Sequence, residues 1–311
     1  MKGLHIIGTG RALPKKCVTN EDMKAYVDTS DEWIRTRTGI GSRYFSEEET
    51  NHGLSEEAAR KAIARAGISV DQIGVCIVAT VTPDYATPSV ACLLQRDLGL
   101  EEDIPAFDIN AACSGFLYGL NIASRFLDEA HPYGLVIGSE QLSRILNMED
   151  RTTCVLFGDG AGAAVVERSD HHVYYSKLGA QGDDESLFCN GLGRKDPYIH
   201  MRGQAIFRFA VKAIDQCMRD AFEQTGYTME DVDYVVCHQA NQRIISHVQK
   251  KWKADPEKFV MNMECYGNTS AASIPILLDE MFEEGKLTRG KRILCVGFGG
   301  GLTWASALLE L

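Results

Sequence analysis

Apolar residues along the chain fall into two kinds of run. Short runs that fit buried strands occur at residues 75–81, 134–139, 163–167, 234–238, 292–298 and 304–309. Longer segments with apolar residues at helical spacing lie between them, at residues 53–66, 114–129, 203–224, 241–252 and 270–284. Strands that alternate with helices are typical of parallel or mixed sheets covered by helices. The pattern therefore predicts an α/β fold.

The pattern also repeats. ARAGISVDQIGVCIVAT (64–80) resembles EQTGYTMEDVDYVVCHQ (223–239), because each has a Gly, a polar turn and then a strand. FGDGAGAAVVE (157–167) pairs with FGGGLTWASALLE (298–310), and GLVIGSE (134–140) with RILCVGF (292–298). Three pairs in the same order indicate a duplicated α/β unit. The polar stretch 169–198 is the best boundary, which predicts halves at 1–170 and 171–311.

Composition and charge narrow the class of protein. A chain of 311 residues, 45% of them hydrophobic, can bury a large core and exceeds the usual size of a single one. The net charge of −11 argues against a general nucleic-acid or anionic-membrane binder. Ten cysteines form no CxxC pair, which favours reduced thiols in a cytoplasmic protein. No apolar run is long enough to predict membrane insertion.

Cys113 lies where an apparent strand, FDIN, meets a helical pattern, SGFLYGLNIASRFLDEA. A helix N-terminus favours a thiolate, and the small neighbours in AACSG leave room for a substrate. Cys113 is therefore a candidate nucleophile. A small buried hydrophobic residue is the alternative interpretation.

Two polar residues lie at comparable turns. His238 ends the strand YVVCH, at the edge of the sheet where α/β proteins bind ligands. Its counterpart in the repeat is Ala79, so the repeat itself does not need a histidine. Asn268 lies in YGNTSAASIP, before a helix, where it could equally be an N-cap. Cys, His and Asn together form a recurrent set for covalent catalysis. The glycines at 299–301 match no phosphate-binding motif, but their N–H groups could line an oxyanion site.

Four motifs carry a family resemblance: DINAACSGF, CHQANQRII, YGNTSAASIP and FGGGLTWASALLEL, with SDEWIRTRTGI near the start. Together they resemble 3-oxoacyl-acyl-carrier-protein synthase III, the initiating condensing enzyme of bacterial type II fatty acid synthesis, from residue 3 to residue 311. The resemblance implies a thiolase-like fold with duplicated halves in five α-β-α-β-α layers, and a homodimer. It implies no metal or cofactor, since acyl-CoA and malonyl-acyl-carrier protein are substrates.

The resemblance also implies roles. Cys113 would take an acyl group from acyl-CoA, and malonyl-acyl-carrier protein would then lose CO₂ and attack it. His238 and Asn268 would stabilise the enolate-like oxygen of that step. The N–H groups of Cys113 and Gly300 would form the oxyanion hole.

Further positions match the family's substrate contacts. Trp33 and Arg151 match the pair that holds the adenine of CoA, Arg37 a residue near its phosphates, and Asn241 a contact of the pantetheine arm. Without the resemblance, these residues would be interpreted as ordinary surface side chains.

A basic helix face predicts the carrier-protein contact. Arg243, His247, Lys250 and Lys251 share one face of 241–252 at positions i, i+4, i+7 and i+8, opposite an apolar face formed by Ile244, Ile245, Val248 and Trp252. Such a stripe is unusual in an acidic chain and complements an acidic partner. By resemblance Arg208 joins it. A solvated basic face is the alternative.

The chain departs from the pattern at two positions. Thr87 replaces a bulky Phe that ends the acyl pocket in some relatives, which predicts room for branched or longer starters. Arg202 stands where a small residue is common, and nothing in the sequence explains it.

Three other functions compete. One is a secondary-metabolism paralogue that uses another acyl acceptor. A papain-like peptidase shares the Cys, His and Asn, but its CGSCW signature is absent. A non-catalytic subunit of a condensing enzyme typically lacks the Cys, which is present here.

Overall fold

The computed structural model describes residues 3–191 and 193–311. The α-helices among them are α1 (Asp31–Thr38), α2 (Asn51–Ala66), α3 (Val90–Leu98), α4 (Gly115–Phe126), α5 (Gly203–Thr225), α6 (Gln242–Trp252), α7 (Met263–Tyr266) and α8 (Ser273–Glu283). The strands are β1 (Gly3–Ala12), β2 (Lys16–Thr19), β3 (Ser42–Phe45), β4 (Ile73–Ala79), β5 (Ala106–Ile109), β6 (Tyr133–Glu140), β7 (Gly160–Ser169), β8 (Tyr174–Asp183), β9 (Leu187–Cys189), β10 (Ile199–Met201), β11 (Tyr234–Cys237), β12 (Arg292–Gly299) and β13 (Gly301–Glu310).

Two sheets form the frame. The first has the order β1-β7-β6-β4-β5 and the second the order β11-β12-β13-β8. In the first sheet β4, β5 and β6 run parallel, and in the second β11 and β12 do. β7 and β13 run antiparallel to both of their neighbours. Read from β8 to β11, the second sheet repeats the first from β1 to β4. A single parallel bridge between Val235 and Phe259 occupies the place of β5.

Helices cover both faces of each sheet. α4 and α8 lie between the sheets, α2 and α3 cover the outer face of the first, and α5 and α6 cover the second. Three large apolar clusters fill the spaces between these layers. The central cluster includes Phe116, Leu120 and Leu277, all 0–1% exposed. The predicted α/β class with five layers is confirmed.

Local signals explain why the two halves fold alike. α2 ends at Gly67 and α5 at Gly226, both with positive φ, as a left-handed C-cap requires. A capping box then opens the following turn in each half, at Ser69 in one and at Thr228 in the other. The first repeat inferred from the sequence is therefore a repeat of structure.

Strand register corrects the third repeat by one residue. Tyr133 lies opposite Glu167, and Arg292 lies opposite Glu310. GLVIGSE therefore corresponds to ILCVGFG rather than to RILCVGF. The error arose because an all-apolar strand carries no polar landmark that fixes its alignment.

Each sheet draws its strands from one part of the chain: β1 to β7 end at Ser169, and β8 begins at Tyr174. This membership supports the division into 1–170 and 171–311, which stays a prediction. β1, β8 and α3 were not predicted, whereas β5 (Ala106–Ile109) was predicted from FDIN. The predicted helix 270–284 is a 3₁₀ turn, Ser270–Ala272, followed by α8.

Candidate active site

Two matching turns meet at the centre of the molecule. Asn110 accepts a hydrogen bond from the N–H of Ala112 at 3.3 Å, and Asn268 accepts one from Ser270 at 2.9 Å. Ala112 and Ser270 have φ of +46° and +48°, which non-glycine residues rarely adopt. Each turn continues through a 3₁₀ turn into a central helix, α4 or α8. NAACSG (110–115) and NTSAAS (268–273) therefore form a fourth pair of similar segments, which the three pairs predicted from the sequence did not include.

Cys113 lies in the first of these turns, directly before α4, as predicted. It is 7% exposed, and burial raises the pKa of its thiol to about 12, although a hydrogen bond from Ser270 opposes this. The sequence predicted a thiolate favoured by the helix N-terminus. In the folded protein the loss of water outweighs that effect, so the resting side chain is a thiol.

His238 follows β11, and a hydrogen bond fixes one nitrogen of its imidazole ring. Its Nδ1 lies 2.7 Å from the hydroxyl of Ser273 in α8. That hydroxyl has no other acceptor in the described chain, so it donates to Nδ1 and leaves the imidazole proton on Nε2. Burial lowers the pKa of His238 to about 3. His238 is therefore a neutral hydrogen-bond donor.

Asn268 is oriented in the same manner. Its Oδ1 accepts the N–H of Ser270, so its amide nitrogen points away from the turn. Its backbone pairs with the segment at Phe157, donating to Leu156 at 2.8 Å and accepting from Gly158 at 3.0 Å. Asn268 is thus a second fixed donor rather than the helix N-cap of the alternative interpretation, since α8 begins five residues later.

The glycine-rich turn after β12 approaches Cys113 closely. A Cβ at Gly299 would lie 2.7 Å from the backbone nitrogen of Cys113, so only glycine fits there. Gly300 lines one cavity together with Cys113. Thr303 ties the two segments together by donating to the carbonyl of Ala111 at 2.8 Å. The oxyanion role of Cys113 and Gly300 stays a prediction, which this proximity supports.

The cavity at Cys113 has a volume of about 390 Å³, within the range of small-molecule sites. Its apolar walls come from Val81, Leu142, Ile145, Phe157, Leu187, Phe188 and Ile199. Thr87 is exposed and does not line it. Within one chain these side chains, rather than Thr87, bound the space for an acyl group.

The four residues matched to CoA contacts form two groups, one around the ring of Trp33 and one at the start of α6, and a hydrogen bond joins the groups. The guanidinium carbons of Arg37 and Arg151 lie 4.6 and 4.7 Å from the centre of the Trp33 ring. Asn241 caps α6 and donates to the carbonyl of Arg37 at 3.1 Å. The structure therefore brings all four together. Arg151 occupies the stacking position on Trp33, so an adenine there would have to displace it.

The basic face of α6 is exposed as predicted, and its apolar face is packed against α5. Arg208 and Arg243 line an opening together with Asn241. Lys251 differs from the prediction, because it is paired with Asp215 at 3.0 Å. Arg208, Arg243 and Lys250 form no ion pair with the described residues and remain the available charges.

Three polar residues near the site were missed. Ser273 orients His238, Ser270 contacts Cys113, and Glu140 ends β6 with no exposed surface. Ser270 and Ser273 are inside the motif YGNTSAASIP. Alignment of NAACSG with NTSAAS would have shown that they replace Ala112 and Gly115 of the first half. Glu140 has no sequence signal of its own beyond an acidic residue at the end of an apolar strand.

Arg202, unexplained in the sequence, forms a surface ion pair with Glu185 at 2.8 Å. Elsewhere in the described chain, His52, Glu56 and Asp97 form a group with metal-ligand geometry on α2 and α3, and none of them lines the cavity at Cys113. No helix among the described residues is long and apolar enough to cross a membrane.

Comparison with known proteins agrees with this geometry. Family models for 3-oxoacyl-acyl-carrier-protein (ACP) synthase III and for its C-terminal part match residues 107–182 and 222–311. A beta-ketoacyl-acyl-carrier-protein synthase III of Clostridium acetobutylicum is 45% identical over 323 residues, covering 100% of this chain and 99% of the relative.

Two solved structures extend the comparison. The synthase III of Aquifex aeolicus superposes with a TM-score of 0.94 at 45% identity, over 99% of this chain and 100% of that one. A priming beta-ketosynthase from a polyketide pathway gives a TM-score of 0.92 at 33% identity, over 99% and 96%. The chain therefore belongs to the 3-oxoacyl-acyl-carrier-protein synthase III family.

Proposed function

We propose that this chain is the initiating condensing enzyme of type II fatty acid synthesis. It joins a short acyl group, acetyl or branched, from acyl-CoA to malonyl-acyl-carrier protein, and it releases CoA and CO₂. The observation that carries the proposal is the contact between the paired turns that follow Asn110 and Asn268, one of which holds the thiol of Cys113. His238 and Asn268 are each fixed as neutral donors.

In the first step, the sulfur of Cys113 attacks the thioester carbon of acyl-CoA. A tetrahedral oxyanion forms, CoA leaves as its thiol, and the acyl group stays on Cys113. The N–H groups of Cys113 and Gly300 are the proposed donors to this oxyanion. Fixed donors in a site without water stabilise such charge strongly.

In the second step, the thioester oxygen of the malonyl group gains charge as CO₂ leaves. Nε2–H of His238 and the amide nitrogen of Asn268 are the proposed donors to that oxygen. Each is held by a partner on its other polar atom, Ser273 for His238 and Ser270 for Asn268. Little reorganisation is therefore needed when the charge develops. The resulting carbanion attacks the acyl group on Cys113.

Both acyl carriers reach the site from the side of α1 and α6. CoA would place its adenine at Trp33 and Arg151, its phosphates near Arg37 and its pantetheine arm near Asn241. The acyl-carrier protein, an acidic partner, would bind Arg208, Arg243 and Lys250, with Lys251 a weaker contributor because of its ion pair with Asp215.

The assembly and location belong to the proposal as well. We expect a homodimer in the cytoplasm, without a resident cofactor. β5 is an edge strand of the first sheet, and an open edge favours pairing with another chain. Phe126 is 42% exposed and packs on Phe107 of that strand, so the edge also offers apolar surface.

The test is the intact mass of the protein after incubation with acetyl-, isobutyryl-, isovaleryl- and octanoyl-CoA. Cys189 lines the same cavity as Cys113 and provides a matched control. Adducts on the wild type and on Cys189→Ala, but not on Cys113→Ala, are expected. Malonyl-acyl-carrier protein should then remove the adduct and yield 3-oxoacyl product.

Absence of any adduct would contradict the proposal. Adducts that malonyl-acyl-carrier protein cannot remove would instead indicate the secondary-metabolism paralogue with another acyl acceptor.

A further inference from the structure

The Cys113 thiol must lose its proton during acylation, and the imidazole of His238 cannot take it. Nδ1 of His238 accepts the hydroxyl of Ser273, and Nε2 already carries the ring proton. Burial also disfavours the imidazolium, since it lowers the pKa of His238 to about 3. Another group must therefore accept the proton.

Glu140 is a fully buried carboxyl group whose two oxygens differ. Oε2 accepts the hydroxyl of Thr82 at 2.6 Å, the N–H of Val81 at 3.1 Å and the hydroxyl of Thr80 at 3.3 Å. Both hydroxyls accept backbone N–H groups, from Gln141 and from Thr82, so their own protons point to Glu140. Because Oε2 is occupied by donors, a proton on this carboxyl group belongs on Oε1.

Oε1 is buried and has no hydrogen-bond partner in the described chain. An unpartnered buried oxygen is costly and calls for an explanation. The hydroxyl of Ser270 is the group that we take to link it to Cys113, because Ser270 lines the cavity together with Cys113 and its turn packs against β6, which ends at Glu140. As a hydrogen-bond partner it also lowers the pKa of both Glu140 and Cys113. Ser270 forms no hydrogen bond to Oε1 in the resting structure, so the transfer requires that this hydrogen bond form during the reaction.

Electrostatics favours exchange of the proton along this line. Burial raises the pKa of Glu140 to about 7, and the charge of Glu140 raises the pKa of Cys113 further. A buried carboxylate and a buried thiolate therefore oppose each other. Moving one proton from the sulfur to the carboxylate keeps a single negative charge in the site.

We propose that the Cys113 thiol passes its proton through the Ser270 hydroxyl to Oε1 of Glu140 as the sulfur attacks an acyl thioester. The S–H bond breaks, Ser270 gains that proton and gives its own to Glu140, and the carbon–sulfur bond forms. When the CoA thiolate leaves, it takes up one proton and Glu140 returns to the carboxylate. Glu140 is a positioning residue here, because it acts on Cys113 through Ser270. The assignment rests on the proposed function.

Comparison of the duplicated halves supports this assignment. Four groups placed at the site by one half have a small, inert counterpart in the other, whereas Asn268 is matched by Asn110. The pairs are Cys113 with Ala271, His238 with Ala79, Ser273 with Gly115, and Glu140 with Gly299. The fold itself therefore does not require a carboxyl group at Glu140.

The two acidic residues that line the cavity fit the role less well. Asp183 and Asp184 line its outer part. Hydrogen bonds from the N–H and hydroxyl of Ser186 lower the pKa of Asp183, which makes it a poorer proton acceptor. Asp184 is exposed to solvent.

The experiment measures single-turnover acylation by acetyl-CoA from pH 5 to 9.5, in the wild type, Glu140→Gln and Ser270→Ala. The matched control is Asp159→Asn, another fully buried carboxyl group with a raised pKa, whose oxygens bind Ser143 and Ser46. The wild-type rate should rise with a midpoint near pH 7 and then level off. Glu140→Gln and Ser270→Ala should be about 100-fold slower at pH 7 and keep rising with pH.

Asp159→Asn should retain the wild-type shape. A Glu140→Gln profile with the wild-type midpoint and plateau overturns the proposal, as does an equal change in Asp159→Asn. A wild-type profile in Ser270→Ala overturns the route through Ser270.

A second measurement separates this inference from the proposed function. Alkylation of Cys113 by iodoacetamide, followed by peptide mapping, reports the reactive thiol without any CoA. If the wild type takes no acyl group but its alkylation levels off near pH 7 only while Glu140 is present, the proposed function fails and the proton route stands. The reverse result, acylation with no effect of Glu140 on either profile, leaves the function and removes the route.

Discussion

At the scale of single residues, the site holds two hydrogen-bond donors in place before any negative charge develops on a bound substrate. The two donors in question, His238 and Asn268, are each held through their other polar atom. Neither needs to ionise, since His238 is neutral at all pH values well above 3. Under the proposed function two tasks are separate: Cys113 would form the covalent bond, and the two donors would stabilise charge in the later step.

This separation predicts that His238→Ala and Asn268→Ala still acquire an acyl group but condense poorly. Loss of one fixed donor in such a site costs about 10²–10³-fold. The burst of CoA release measures acylation, and formation of 3-oxoacyl product measures condensation. Equal losses in both steps would contradict the division of roles. Cys113→Ala, which should lose both, is the control.

Glu140 also has a consequence for stability. Its pKa rises from 4.5 to about 7 on folding, because burial disfavours the carboxylate. The folded state therefore binds the proton more tightly than the unfolded state. The contribution of Glu140 to the free energy of unfolding is fully present below pH 4.5 and is lost as the pH rises through 7.

We expect Glu140→Gln to be stabilised at pH 8 by up to about 3 kcal/mol relative to the wild type. At pH 5 the gain should be much smaller, since Glu140 is then protonated in the folded protein. Urea unfolding at the two pH values measures the difference. A gain of the same size at both values would show that Glu140 is not the titrating group.

At the scale of elements, the site depends on how closely the central helices approach the opposite sheet strands. A Cβ at Gly138 in β6 would lie 2.2 Å from the carbonyl oxygen of Ala271, and one at Gly297 in β12 would lie 3.0 Å from Ser114. These glycines are equivalent in the two halves. They let the turns that carry Cys113 and Asn268 reach the same cavity.

Gly138→Ala should therefore push the turn before α8 away and lower the free energy of unfolding by about 1–3 kcal/mol. The matched control is Gly182→Ala, because no atom lies within 4 Å of its Cβ position. Denaturant unfolding of both variants gives the comparison. Equal stability of the two variants would mean that the turn before α8 can shift without lowering the free energy of unfolding.

α6 has one buried apolar face and one basic face, and only part of the basic face is available for a partner. Lys251 is neutralised by Asp215, whereas Arg243 and Lys250 form no ion pair in the described chain.

We predict that Arg243→Glu weakens binding of the acyl-carrier protein at least tenfold at low salt, with a smaller effect at high salt. Lys251→Ala should change the affinity no more than about twofold, because its charge is already paired. Titration by calorimetry at two ionic strengths measures both. An equal loss for the two variants would show that the ion pair with Asp215 opens on binding.

At the scale of the whole molecule, the two halves pack back to back, and β5 is one of the edge strands of the first sheet. Pairing of this edge with the same edge of a second copy would bury Phe126 and extend the sheet. The remaining exposed aromatic residues are scattered, as on most protein surfaces.

The chain, 34.3 kDa in mass, should therefore behave as a dimer in light scattering coupled to size exclusion. Phe126→Asp should shift it toward the monomer. Tyr26→Asp is the matched control, since Tyr26 is 48% exposed and lies on the β2–α1 segment instead. A dimer that persists in Phe126→Asp would place the interface elsewhere.

Sequence patterns were sufficient for the features that depend on short stretches of chain. The α/β class, the repeat and the turn positions of Cys113, His238 and Asn268 follow from periodicity, glycine caps and capping boxes, which act between near neighbours. The family motifs supplied the roles and the substrates. Even the apolar face of α6 could be predicted from helical spacing alone.

Contacts between distant segments required the tertiary structure. The tautomer of His238, the buried Glu140, the displacement of Thr87 from the cavity and the pairing of Lys251 all depend on residues far away in sequence. The pKa of Cys113 shows the physical reason, since the helix N-terminus is a local feature but the loss of water is set by everything packed around the thiol. Neighbouring residues determine local structure, whereas the whole fold determines the pKa and the hydrogen-bond partners of a buried group.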